Sequence, residues 1–93
     1  MFKTLEELIS IIRQRKESSI EESYTKKLLN NKKLSVEKVK EEIAELIDAI
    51  EKDTNKIHEA ADVLYHLMVL LEANGIKIED VMDELKKRQK KSK

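Results

Sequence analysis

Hydrophobic residues recur along most of the chain at intervals of three and four positions, which is the spacing of an amphipathic α-helix. The first such stripe consists of Leu5, Leu8, Ile9 and Ile12. Lys and Glu dominate the polar positions, and both residues favour helix. The pattern predicts an all-α fold, a small bundle of four to five helices. We expect these helices over 4–16, 25–29, 36–51, 56–73 and 79–88.

Short segments without this periodicity separate the helices, and we expect loops or turns at 17–22, 30–33 and 52–55. Thr4 and Glu7 fit a capping box at the start of the first helix. Ser35 is the expected N-cap of the helix that begins at residue 36. Gly75 follows the helix that ends at residue 73 and suits the left-handed position beyond a helix C-terminus.

Length and composition restrict the classes of protein to which the chain can belong. We interpret residues 1–93 as a single all-α domain with a frayed basic tail at 88–93. The 19 Lys and Arg residues balance 19 Asp and Glu residues, so we predict no nucleic-acid partner and no membrane partner. The absence of Cys and Pro and the single Gly exclude disulfides, thiolate zinc sites and P-loops. The longest apolar stretch, 63–71, is too short to span a bilayer and no signal peptide is evident, so we predict a cytoplasmic location.

The second long helix carries acidic residues on one side. Glu42 and Glu45 are three positions apart, so both carboxylates can point to one spot from adjacent turns. Lys38 shares this side of the helix, and Glu41 lies beside it. Taken alone, the group also fits an ordinary solvated face, because solvent tolerates the small repulsion between like charges at this spacing.

The third long helix, expected over 56–73, favours a metal site over a solvated face. It is apolar nearly all round, which is typical of a buried helix, and yet Glu59, Asp62 and His66 lie close together on one of its sides. Buried carboxylates need partners, and two pairs facing one another across a divalent cation satisfy all four. Carboxylate oxygens suit Mg²⁺, with Mn²⁺ as a substitute. His66 is more typical of a hydrogen-bonded core residue than of a Mg²⁺ ligand.

These residues resemble a known signature. Glu41-Glu42-x-x-Glu45, thirteen further residues and then Glu59-x-x-Asp62 are similar to the EExxE…ExxD pattern of the all-α nucleoside triphosphate pyrophosphatases, the MazG-like superfamily. The segments SYT at 23–25 and EAADVLYHL at 59–67 narrow the resemblance to the phosphoribosyl-ATP pyrophosphohydrolases of histidine biosynthesis. The chain departs from the family at Lys40, where Gly is usual, and in a linker at 30–34 that is about one residue short and lacks the usual Gly.

The resemblance implies an enzyme that hydrolyses phosphoribosyl-ATP to phosphoribosyl-AMP and pyrophosphate. It implies Mg²⁺ held by four carboxylates, those of Glu42, Glu45, Glu59 and Asp62. Glu41 is then the candidate general base. The candidate substrate-binding residues are Tyr24, Lys27 and Lys38, with packing as the alternative for Tyr24 and an ion pair with Glu42 as the alternative for Lys38.

Two other functions fit part of the pattern. One is a MazG-like house-cleaning pyrophosphatase of other nucleoside triphosphates, which would share the metal site but not the SYT segment. The other is a non-catalytic helical interaction module whose acidic face is solvated. The helix expected over 56–73 has more hydrophobic surface than a chain of this length can cover. We therefore expect a homodimer, as the resemblance also implies.

Overall fold

The computed structural model describes residues 2–17 and 23–91, and within these ranges the chain forms helices and turns and no strand. The all-α prediction is confirmed. Of the loop predicted at 17–22, Glu17 ends the first helix and the remainder lies outside the described residues. No helix in the described ranges is both long enough and apolar enough to cross a membrane. The helices are α1 (Lys3–Glu17), α2 (Tyr24–Leu29), α3 (Lys32–Lys52), α4 (Lys56–Ala73) and α5 (Ile78–Lys91).

The start of α1 differs from the predicted capping box. The main-chain oxygen of Phe2 accepts a hydrogen bond from the Glu6 nitrogen at 3.1 Å, so the first turn forms ahead of Thr4. Thr4 therefore lies inside the helix, and its assignment as the N-cap is wrong.

The start of α3 differs more. Asn31 is the N-cap, since its side chain accepts a hydrogen bond from the Leu34 nitrogen at 3.0 Å. The helix thus begins four residues before the predicted position, and the expected linker at 30–33 shrinks to Asn30 and Asn31. Ser35 is buried inside α3 instead of capping it, and its hydroxyl donates to the Leu28 oxygen at 2.6 Å, tying α3 to α2.

The end of α4 agrees with the prediction, whereas α5 is longer than predicted. Asp53 adopts left-handed backbone angles at the end of α3, and Gly75 does so after α4, as its position predicted. Helix α4 has the predicted bounds. Helix α5 continues to Lys91, so Arg88 and the residues up to Lys91 are helical where the sequence predicted fraying. An ion pair between Glu84 and Arg88 at 3.1 Å supports this last stretch.

The core lies between α1, α2 and α4. Its centre is formed by buried aliphatic side chains that these three helices contribute at helical spacing. Leucines and isoleucines of α1, together with Leu34 and Ile78, cover its edges. The buried core residues are Ile12, Leu28, Leu29, Met68 and Val69.

Helix α5 is tied to α1 by charge. The Arg13 guanidinium donates to both carboxylate oxygens of Glu79, at 3.0 and 2.7 Å, and to Glu72 at 3.4 Å. The hydrogen bond from Arg13 lowers the pKa of Glu79 from 4.5 to about 2. The apolar residues farther along α5, Met82 and Leu85, remain exposed.

Helices α3 and α4 form a hairpin across the short turn at 53–55, and their contact is the most extensive between any two helices of the described chain. The face of α3 that packs inward is not its most hydrophobic one. Ser35, Val39, Glu42 and Ala49 are buried on it. The apolar stripe next to this face stays exposed: Val36, Ile43, Ile47 and Ile50.

Candidate functional site

The α3–α4 hairpin places Glu42 in the interior. Its side chain points along the same face of α3 as Val39 and Ala49, which pack inward, so Glu42 retains only 8% of its exposure. Burial raises the pKa of Glu42, and the neighbouring Glu45 carboxylate raises it further. A carboxylate in this position is costly to ionise without a positive partner.

Three of the four predicted metal ligands meet between the two helices. Glu42 and Glu45 of α3 and Glu59 of α4 each offer a carboxylate oxygen, and the three oxygens lie within 4.8 Å of one another. The Oε2 atoms of Glu42 and Glu59 are buried and have no hydrogen-bond partner among the described residues. Burial and the Glu45 carboxylate also raise the pKa of Glu59. We call Glu42, Glu45 and Glu59 the carboxylate cluster.

Asp62 joins a second, overlapping group instead of the carboxylate cluster. Its carboxylate, that of Glu59 and a nitrogen of His58 lie within 4.8 Å of one another. The His58 Nε2 atom is 3.4 Å from Asp62 and 3.9 Å from Glu59. Sequence reasoning missed His58 as a member of the site. Its position four residues before Asp62, on the same side of the helix, could have indicated the contact.

The donor set fits a hard divalent cation. Unpaired carboxylate oxygens converge from two helices, and burial, followed by the neighbouring Glu45 carboxylate, raises the pKa of both Glu42 and Glu59. A cation held by oxygen ligands would relieve both the repulsion and the unmet hydrogen-bonding capacity. Oxygen-only coordination at Glu42, Glu45 and Glu59 is typical of Mg²⁺, and Mn²⁺ would also tolerate the nearby imidazole of His58.

An open groove of about 550 Å³ runs beside the carboxylate cluster. Glu41, Glu45 and Glu59 line it together with residues of the α3–α4 turn. Glu41, the predicted base, is therefore next to two predicted ligands without belonging to either ligand group. The described residues that line this groove do not include Lys27, which is exposed on α2.

Lys38 pairs with Glu41, not with Glu42 as the alternative prediction had it. Its Nζ atom lies 3.5 Å from a Glu41 carboxylate oxygen, three positions along the helix. The nearby Tyr24 hydroxyl group and Glu41 raise the pKa of Lys38, so it remains a cation beside the acidic groups. Burial raises the pKa of Tyr24, and the Lys38 charge opposes this effect.

Helix α2 brings a small aromatic cluster to α4. The rings of Tyr24 and Tyr65 are stacked with centroids 6.4 Å apart, and His66 meets both rings edge-on. The Tyr24 hydroxyl also forms a hydrogen bond with His66, and Thr25 forms one with the Tyr65 hydroxyl. His66 is buried and hydrogen-bonded and belongs to neither ligand group, as predicted for a core residue.

Comparison with known proteins decides the family. The sequence profile of the phosphoribosyl-ATP pyrophosphohydrolase family matches residues 5–89. The chain belongs to this family. The resemblance seen in the residues is therefore confirmed, and the SYT and EAADVLYHL segments had pointed to the right branch of the superfamily.

Relatives named for this activity match over nearly the whole chain. The phosphoribosyl-ATP pyrophosphatase of Methylobacterium nodulans is 46% identical, covering 96% of this chain and 86% of the relative. That of Methanococcoides burtonii is 41% identical over 91% of each chain. The histidine biosynthesis bifunctional protein HisIE of Pyrococcus furiosus is 46% identical over 92% of this chain. The chain spans only 41% of that longer relative.

Proposed function

We propose that this chain hydrolyses phosphoribosyl-ATP to phosphoribosyl-AMP and pyrophosphate, a step of histidine biosynthesis, and that it does so with Mg²⁺ at the carboxylate cluster. Membership of the family supports the reaction and the substrate. One observation supports the placement of the reaction: Glu42 and Glu59 each have a buried, unpartnered carboxylate oxygen in the carboxylate cluster, and Glu45 and Glu59 of that cluster line an open groove. The divalent cation that accompanies a polyphosphate would be the positive partner that these oxygens lack.

Four side chains would hold the metal. Glu42, Glu45 and Glu59 are already together, and Asp62 adjoins Glu59 in the second group. When bound, the ion neutralises charge on the phosphate oxygens and acidifies or orients water. The chain contributes the enclosure, because burial of Glu42 keeps bulk water from competing for its oxygens.

The groups outside the ligand set have separate roles in this proposal. Glu41 lines the groove and takes the proton of the attacking water. Lys38 holds the Glu41 carboxylate through their ion pair and presents a positive charge toward the phosphates. Tyr24 and Lys27 of α2 bind the phosphoribosyl or base end of the substrate, with Lys27 adding only ground-state attraction from its exposed position.

The test is a pyrophosphate-release assay on phosphoribosyl-ATP with and without Mg²⁺. We expect Mg²⁺-dependent release, with ATP a poor substrate. Glu42→Gln, Glu45→Gln, Glu59→Gln and Asp62→Asn should each lower kcat by about 100-fold or more, the loss typical when transition-state charge is left unstabilised. Lys27→Ala should act mainly on KM.

The matched control is Glu37→Gln, which makes the same change on an exposed turn of α3 away from the cluster. It should leave kcat unchanged. Release from dCTP or dUTP without activity on phosphoribosyl-ATP would favour the house-cleaning alternative. Full activity in EDTA would remove the metal from the proposal, and no release from any nucleotide would favour an interaction module.

We also propose that the chain works as a homodimer in the cytoplasm. The support for a dimer is the exposed apolar stripe of α3, together with Ile57 and Leu64 of α4, which are exposed as well. Pairing with a second copy would remove these side chains from water, and two-fold pairing is the commonest arrangement that does so.

A further inference from the structure

The buried ring of His66 forms a hydrogen bond at each of its nitrogens. Nδ1 lies 2.8 Å from the main-chain oxygen of Asp62, and Nε2 lies 2.9 Å from the Tyr24 hydroxyl. A main-chain carbonyl oxygen carries no hydrogen, so Nδ1 is the donor in the first bond. In the neutral imidazole the other nitrogen then has a lone pair, and the Tyr24 hydroxyl donates to it.

This bond determines what else Tyr24 can do. A phenol has a single hydrogen, and the bond to Nε2 of His66 uses it. The Tyr24 oxygen keeps its lone pairs, so toward any further group it acts as an acceptor. Ionised phosphate oxygens only accept hydrogen bonds, whereas sugar hydroxyls and base N–H groups donate them. Tyr24 therefore cannot bond to a phosphate oxygen while this arrangement holds.

The surroundings hold the Tyr24 ring in place. Its stacking on Tyr65 fixes the ring plane, and the Thr25–Tyr65 hydrogen bond fixes Tyr65 in turn. His66 is only 7% exposed, so water does not compete strongly for its nitrogens. Tyr24 itself is 46% exposed and so remains accessible to a bound molecule.

We propose that His66 is a positioning residue that presents the Tyr24 oxygen as an acceptor for a hydroxyl or N–H donor on the nucleoside part of the substrate. The phosphates are then left to Lys38 and the carboxylate cluster. The identity of the substrate rests on the proposed function, whereas the hydrogen-bond arrangement of His66 and Tyr24 does not.

The first experiment tests that arrangement in the metal-free full-length chain, without any substrate. Nitrogen-15 NMR of the His66 ring near neutral pH should show a hydrogen on Nδ1 and an accepting Nε2. Tyr24→Phe should move the Nε2 resonance toward that of an unbonded nitrogen. The matched control Tyr65→Phe removes a hydroxyl from the neighbouring ring and should not. The opposite tautomer, or a ring with hydrogens on both nitrogens, would overturn the proposal.

The second experiment separates positioning of Tyr24 from support of the metal ligands. In His66→Asn the amide replaces Nδ1, keeping a donor for the Asp62 oxygen but not reaching Tyr24. In His66→Gln it replaces Nε2 and can still accept from Tyr24. We expect Tyr24→Phe and His66→Asn to raise KM for phosphoribosyl-ATP by about 3- to 10-fold, as for one lost hydrogen bond, with kcat little changed.

The KM of His66→Gln should remain closer to that of the unmodified chain. Tyr24→Phe combined with His66→Asn should raise KM no more than either change alone. Mn²⁺ affinity, measured by electron paramagnetic resonance, should be the same in all these variants. A fall of kcat and Mn²⁺ affinity together in His66→Asn would show that His66 acts through the metal ligands, and would overturn the proposal.

The third experiment uses the reaction products as probes. Tyr24→Phe should weaken inhibition by phosphoribosyl-AMP by about 3- to 10-fold and leave inhibition by pyrophosphate unchanged, because pyrophosphate offers only acceptors. Ribose 5-phosphate identifies the group that donates to Tyr24. If it binds Tyr24→Phe more weakly than the unmodified chain, the donor is on the sugar. If it binds both equally well, the donor is on the base. Loss of pyrophosphate affinity in Tyr24→Phe would contradict the proposal. Absence of any turnover would count against the proposed function alone, since the NMR result does not depend on it.

Discussion

Glu42 is the residue at which stability and proposed function oppose one another most directly. It is buried with an unpartnered oxygen, and the carboxylate of Glu45 lies one turn away. Without a cation, this arrangement costs desolvation and repulsion, as the raised pKa of Glu42 indicates. Active sites commonly keep such destabilising groups because the ligand compensates for them.

We therefore expect Glu42→Gln to stabilise the metal-free protein while lowering kcat by about 100-fold or more. Relief of like-charge repulsion at this spacing is worth about 0.2–0.5 kcal/mol. For a domain of this size that raises Tm by about 1–4 °C. The measurement is thermal unfolding near neutral pH in EDTA, with Glu37→Gln as the control that should not change Tm. Mg²⁺ should raise the Tm of the unmodified chain but not that of Glu42→Gln, because a bound ligand stabilises only the native state. A lower Tm for Glu42→Gln in EDTA would contradict this account.

The sequence predicted which carboxylates come together better than it predicted the contacts of the two histidines near them. Glu42, Glu45 and Glu59 could be found because carboxylates on helices that must pack together cannot be left unpaired. His58 was missed because its spacing from Asp62 indicates a contact along the helix, but the same spacing is common in ordinary surface pairs. The hydrogen bond between Tyr24 and His66 could not be predicted, because it joins α2 to α4 and depends on how the two helices pack.

At the scale of helices, α5 is joined to the rest of the molecule at its first turn, where Ile78 packs at the edge of the core and Glu79 makes a charged contact with α1. Glu79 accepts two hydrogen bonds from Arg13 of α1, which hold its pKa at about 2, well below its ordinary value of 4.5. A carboxylate whose pKa is lowered on folding adds stability that is complete above its unfolded value. That contribution is lost as the pH falls through the folded value.

Glu79→Gln should therefore be less stable than the unmodified chain near neutral pH, and the difference should shrink as the pH falls from about 4.5 to about 2. Urea unfolding across this range measures the difference. Because Arg13 and Glu79 are both partly exposed, salt should also reduce it. Glu51→Gln on α3 is the matched control and should show no such convergence. If the difference in stability between Glu79→Gln and the unmodified chain were constant with pH, the ion pair would not stabilise α5.

Helix interiors followed from periodicity, whereas two helix starts did not. The residues 56–73 were predicted as a helix with its exact bounds because an apolar pattern fills that segment and Gly75 ends it. The start of α3 was placed too late because Ser35 and Asn31 are both good caps. Only the packing of α2 against α3 decides between them, since it buries Ser35 and leaves Asn31 at the surface.

For the whole molecule, the decisive feature is the face of α3 that the fold leaves uncovered. Amphipathicity alone favours burial of the stripe that contains Ile43 and Ile47. Instead α3 turns the side carrying Glu42 toward α4 and leaves that stripe in water. The same orientation of α3 brings Glu42 and Glu45 to Glu59, so the stripe is exposed as a consequence of assembling the carboxylate cluster.

The dimer prediction follows from this stripe. We expect sedimentation at micromolar concentration to give twice the 10.9 kDa mass of one chain, because pairing removes the α3 stripe from water. Ile47→Lys places a charge in the centre of the stripe and should shift the protein to monomer while its circular dichroism stays helical. The control is Ile11→Lys on α1, where an isoleucine of similar exposure, 47% against 53%, lies outside the stripe. A species of one chain mass for the unmodified protein would refute the dimer, and dissociation by Ile11→Lys but not by Ile47→Lys would place the interface on α1.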